Sequence, residues 1–111
     1  MVTVENLASY YREGVPYKIL SRKFEADLPL FKSHEEARTF FKGLFGDQFM
    51  LQGSEGIGAD KIYFYTIIHN RLAWEKGITE LTESGSTSGI EFAMSSQDVQ
   101  LNSDGRLHIV Y

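Results

Sequence analysis

Cysteine is absent from this 111-residue chain, which excludes disulfide staples, thiolate zinc sites and cysteine nucleophiles together. No uninterrupted apolar run approaches about 20 residues, so no segment reads as a helix spanning a bilayer. The opening MVTVENLASYYREG has neither the basic nor the apolar stretch of a secretory leader. Basic residues are few as well: 11 Lys and Arg stand against 15 Asp and Glu, a net charge of −4. Nucleic-acid binders gather positive charge on one face, and the one basic cluster, Arg12, Lys18, Arg22 and Lys23, is diluted by Glu13 and Glu25. Nucleic acid is therefore not the expected partner. No His-Glu-x-x-His pair occurs, so a helical zinc site is excluded, and no metal or cofactor is implied. A cytoplasmic protein is the expectation.

What the chain does have is core. Hydrophobic residues make up 42% and aromatics 14%, with 8 Phe, 6 Tyr and 1 Trp, far too many for a disordered chain. The length suits a single globular domain over 1–111. Charge is uneven along it: residues 1–46 hold seven basic and six acidic groups, residues 47–111 four and nine. The acidic C-terminal portion, with Glu75, Glu80, Glu83, Glu91, Asp98 and Asp104, is one candidate docking surface.

The pattern of apolar residues predicts an α+β fold. Val4, Leu7, Ala8 and Tyr11 recur at helical spacing, with Thr3 as cap and Gly14 before Val15-Pro16 as stop. From Tyr17 to Phe31 the period falls to two, which reads as a half-buried strand; a short helix at 16–23 opened by Pro16 is the competing reading. Ser33-His34-Glu35-Glu36 forms a capping box, followed by the stripe Ala37, Phe40, Phe41 and Leu44 and a stop at Gly46. Residues 61–69 read as a strand apolar on both faces. Asn70 caps a third helix with Trp74, Ile78 and Leu81 on one side, against which Gly77 weighs. Residues 83–89 read as a loop and 90–94 as a strand. Val99 and Leu101, then Asp104-Gly105, then Leu107 and Ile109 spell a C-terminal β-hairpin. The sum is a mainly antiparallel sheet with two or three helices. Without the first helix the order β-α-β-β-α-β matches the split βαβ arrangement of ferredoxin-like folds, one architecture open to it.

Motifs that invite chemistry fail on context. Gly53-Ser54-Glu55-Gly56-Ile57-Gly58 runs into a strand rather than a helix, so it reads as a hairpin loop and not a phosphate cradle. Gly85-Ser86-Thr87-Ser88-Gly89 lacks the strand-to-helix setting of a nucleophile elbow. His34 sits in a helix's first turn, where the dipole disfavours its protonation. His108 alternates with Leu107 and Ile109 and so faces solvent. His69, ending the most hydrophobic strand, is the best single candidate for a general acid or base. Tyr63 and Tyr65 share its parity, and tyrosine is favoured at protein contacts.

Two function classes follow. The leading one is a small protein-binding or regulatory domain, working through its acidic surface, its aromatic strand or an open terminal edge at Tyr111, on another protein or as a homodimer. Its candidate binding residues are Tyr63, Tyr65, His69, Trp74 and Asp60. The alternative is a small enzyme or ligand-binding domain with His69, Tyr65 and Asp60 around a pocket under the 53–60 loop.

Overall fold

The computed structural model describes residues 2–14, 19–85 and 90–110. Among these residues four strands form one antiparallel sheet: β1 (Phe49–Glu55), β2 (Ile62–Ile68), β3 (Ser96–Asn102) and β4 (Leu107–Ile109), ordered β1-β2-β3-β4. Among the described residues four helices accompany it: α1 (Arg22–Ala26), α2 (His34–Phe45), α3 (Arg71–Ser84) and the single turn α4 (Ile90–Ala93). The fold is α+β. No helix among the described residues is long and apolar enough to cross a membrane.

α2 follows the sequence closely. The Ser33 hydroxyl accepts the Glu36 amide at 3.1 Å, and Gly46 ends the helix at a φ of +57°. Ala37, Phe41 and Phe45 are buried, whereas Phe40 and Leu44 are half-buried. The stripe thus turns one residue further than the spacing suggested, and Phe45 belongs to it. Phe41 stacks on Phe49 at a centroid distance of 5.0 Å, and Phe49 on Tyr65 at 4.3 Å. Phe24 of α1 meets Phe41 and Phe45 edge-on at 6.1 Å. α1 and α2 therefore cover one face of the sheet, over Tyr65, Ile67, Val99, Leu101 and Ile109.

The N-terminal segment departs from expectation. Instead of a helix there is one 3-10 turn, Leu7–Tyr10. Thr3 and Asn6 exchange side-chain hydrogen bonds with each other's amides, at 2.7 and 3.3 Å, which competes with helical pairing. Val4 is left exposed, and Tyr11 turns extended to bridge Leu20. The expected strand over 17–31 is also corrected. Its described part bridges once at Leu20, then coils into α1 from Arg22, later than the competing helix at 16–23. Leu20 and Phe24 are fully buried, while Leu30 lies open to solvent, so the period-two pattern does not mark one buried face. Val15, Pro16, Tyr17 and Lys18 lie outside the described residues.

The hairpins behave as predicted, with one shift. β3 and β4 pair Val99 with Ile109 and Leu101 with Leu107. Gly105 at the turn has a φ of +92°, and a Cβ there would stand 2.4 Å from the Phe31 carbonyl oxygen. The glycine-rich segment 53–60 is shorter as a loop than expected, because Gly53–Glu55 continue β1, with a bulge between Leu51 and Gly53. The connection starts at Gly56, whose φ of +86° and close approach to the Asp60 carbonyl exclude a side chain.

Between β2 and β3 the chain makes the α3–α4 excursion. Asn70 caps α3 by accepting the Ala73 amide at 3.1 Å. Residues 90–94, expected as a strand, begin with α4, and the loop expected from Glu83 begins at the Gly85 cap. Gly77 explains the pairing. It is the one buried residue of α3, and a Cβ on it would fall 2.0 Å from Phe92. Trp74 is half-buried, but Ile78 and Leu81 are each 39% exposed. α3 packs chiefly on α4 rather than on the sheet. The radius of gyration, 14.7 Å, exceeds the roughly 13 Å of a compact chain this long.

Candidate functional site

β2 turns its odd-numbered residues toward α2, and there the first turn of α2 meets them. His34 stacks on Tyr63 at 3.5 Å and 8°. Its Nε2 lies 2.8 Å from the Tyr65 hydroxyl. Arg38 lies one turn further along α2. Lys61 holds its Nζ 5.1 Å from the Tyr63 ring centroid, a cation–π distance. Burial lowers the His34 pKa, and the charges of Arg38 and Lys61 lower it further against an opposing pull from Glu35. Burial raises the Tyr65 pKa, with Arg38 opposing. The result is a neutral His–Tyr pair between two cations.

Of the residues singled out from sequence, Tyr63 and Tyr65 thus come together, though facing α2 rather than open solvent. His69 does something different. Its Nε2 meets the Gln97 Oε1 at 2.8 Å, and the same oxygen accepts the Leu20 amide at 2.7 Å. Because Oε1 only accepts, His69 must donate. The Gln97 amide group donates in turn to the Leu20 and Val110 carbonyls, at 3.4 and 3.3 Å. Buried Gln97 thereby ties the N-terminal segment, the end of β2 and the C-terminal strand together. Tyr11 packs edge-on against His69 at 5.6 Å. Asp60 lies exposed in a 3-10 turn at the opposite end of β2, about 25–30 Å away by strand rise. His69, Tyr65 and Asp60 do not converge. Trp74 sits apart on α3.

Two shallow hollows of about 240 and 200 Å³ meet at Asp98 and Val110, and neither is lined by His69 or Asp60. Both fall below the usual range of small-molecule sites. No group of three or more His, Asp or Glu among the described residues could hold a metal ion. The acidic candidates are dispersed: Glu75 pairs with Arg71 and Asp104 with Arg106. Of the basic cluster, Arg12, Arg22 and Lys23 are exposed. Ser86–Gly89 and Tyr111 lie outside the described residues.

The sheet has two unequal edges. β4 is three residues long, and the outward Ile109 amide is taken by the Glu25 carboxylate at 3.1 Å. β1 is seven residues long and borders no further strand among the described residues. Which of its amides face outward follows from the ladder. Asn102 and Val110 donate across the β3–β4 pair, to Arg106 and Asp98. Amide direction alternates along each strand, so by register the Leu51 and Ser54 amides point away from β2. Residues 51–55 are all exposed.

Sequence reasoning weighed His34 without placing it in a site, and missed Arg38 and Lys61. The i, i+4 spacing of His34 and Arg38 beside the apolar stripe, and the i, i+2 spacing of Lys61 and Tyr63, were legible. The meeting of α2 with β2 was not. Comparison with protein-family models, curated proteins and solved structures finds no match.

Proposed function

We propose that this is a cytoplasmic protein-binding domain that takes an extended, acidic segment of another protein along β1. The observation that carries this reading is the contrast between the edges: β4 is short and capped by Glu25, whereas β1 offers the Leu51 and Ser54 amides outward. Strand addition supplies main-chain hydrogen bonds, and side chains on alternate positions supply choice of partner. The bulge after Leu51 leaves only short regular stretches on either side, so the ladder alone holds a segment weakly. Neighbouring side chains on the α2 side must add to it. Leu51 shares that side with Tyr65 and is 55% exposed, and Arg38 of α2 contributes positive charge that suits carboxylates or phosphates. The aromatic strand enters as support beneath this surface. The acidic C-terminal portion and a homodimer are not needed for it. The enzyme alternative draws no support from residues placed at opposite ends of β2.

The test is selection of binders from a random 12-residue peptide display library, followed by titration against Ser54→Pro. Proline at an outward amide removes the edge donor and leaves the β1–β2 ladder whole. Enrichment of acidic peptides whose binding is lost in Ser54→Pro supports the reading. Peptides that bind Ser54→Pro as tightly as the parent refute it.

A further inference from the structure

Beside the open edge stands a set of polar groups that neither the core nor the sheet requires. Arg38 stands one helical turn from His34 on α2, and the Lys61 Nζ lies 5.1 Å from the centroid of the Tyr63 ring on which His34 stacks. Neither forms a salt bridge among the described residues; the pairs there are Arg71–Glu75 and Arg106–Asp104. Glu35, the carboxylate that faces His34, is exposed in the first turn of α2. The His34–Tyr63 stack and the His34–Tyr65 hydrogen bond fix the imidazole against a rigid strand. A fixed imidazole beside two cations without salt-bridge partners among the described residues makes a set of groups suited to an oxyanion.

We infer that His34, Arg38 and Lys61, held by Tyr63 and Tyr65, form an oxyanion subsite that reads an acidic or phosphorylated side chain of the segment docked on β1. This inference rests on the reading of β1 as the docking edge. β2 is the second strand from that edge, so a docked strand would run two spacings from it, about 9.5 Å. Leu51 and Ser54 of β1 pair with Tyr65 and Tyr63, the two residues beneath His34. A Glu or phosphorylated side chain on the α2 side of the segment, met by the long arm of Arg38, spans that gap. Binding of the anion favours the imidazolium, so His34 takes up a proton as the subsite fills. On α2 the charged groups facing it are Arg38 and Glu35; on β2 and its entry they are Lys61 and the phenols of Tyr63 and Tyr65.

The experiment uses the whole chain and two probes, inorganic phosphate and acetate, added at constant ionic strength while amide and imidazole resonances are followed by NMR. Saturable shifts confined to residues 34–38 and 61–65, with an upward move of the His34 pKa, are expected. Arg38→Gln/Lys61→Gln should weaken binding about tenfold or more; both side chains reach solvent, so folding is retained and is checked by the unchanged core resonances. Saturation by acetate assigns a carboxylate ligand, and saturation by phosphate alone assigns a phosphorylated one. Failure of both probes, or equal affinity in the double variant, overturns the subsite. Neither probe needs the edge. Phosphate binding that survives in Ser54→Pro while peptide binding is lost upholds the subsite and locates peptide docking at β1. Peptide binding without anion binding condemns the subsite alone.

Discussion

Phe41→Ala tests the core on which everything else is mounted. The ring is fully buried and has neighbouring rings in Phe24, Phe31, Phe40, Phe45 and Phe49. Truncation removes about 100 Å² of buried apolar surface, worth about 2.5 kcal/mol at 25 cal/mol per Å². The void adds about 24 cal/mol per Å³ where neighbours do not collapse, bringing the total to about 3–5 kcal/mol. For a domain this size that is a large share of the whole stability. With a urea slope of about 1.5 kcal/mol/M, the midpoint should fall by about 2–3 M. Phe40→Ala is the control, because Phe40 is half-buried one position away; it should cost clearly less. Equal midpoints for the two variants would refute the register of α2 on the sheet, and with it the placement of His34 and Arg38.

Three further expectations follow. Gly77→Ala should destabilise, although alanine favours a helix by about 1 kcal/mol, because its Cβ meets Phe92; in a Phe92→Ala background the same change should become stabilising, as a thermal-melt double-mutant cycle would show. Gln97→Leu should cost about 2–4 kcal/mol by stranding the buried Leu20 amide, and its His69 resonances should shift in step; an unchanged midpoint would deny the clamp. His34 has a lowered pKa in the folded chain, so the unfolded state binds the proton first as pH falls. Its stabilising effect is complete above the ordinary value near 6.5 and is lost as pH drops through the lower folded value. His34→Gln should flatten that part of the stability–pH curve, measured by urea denaturation at stepped pH.

What was legible in sequence was what local chemistry decides. Ser33 and Asn70 announce their helices because each side chain caps an amide three residues on. Asp104-Gly105 announces a hairpin because Gly105 must adopt a positive φ. What was not legible depended on partners far along the chain. Residues 90–94 looked like a strand because Ile90, Phe92 and Met94 alternate, but Phe92 seats on Gly77 and the turn coils. The alternation of Leu20, Phe24, Ala26, Leu28 and Leu30 carried no information about which of them would find the core. The same limit hid the candidate site. His34 and Tyr63 are 29 positions apart, and only the packing of α2 on β2 stacks them. His69 looked chemical for its position at a strand end, and Gln97, which engages it, offered no signal at all.

The most direct measurement is amide hydrogen exchange of β1, by NMR, with and without a selected acidic peptide. In the free chain the Leu51 and Ser54 amides should exchange quickly while those of Met50 and Glu55, directed at β2, are slower. In the complex, Leu51 and Ser54 should become protected and the Leu107 and Ile109 amides of β4 should not change. Protection that appears on β4, or leaves Leu51 and Ser54 exchanging as fast as before, would contradict docking along β1.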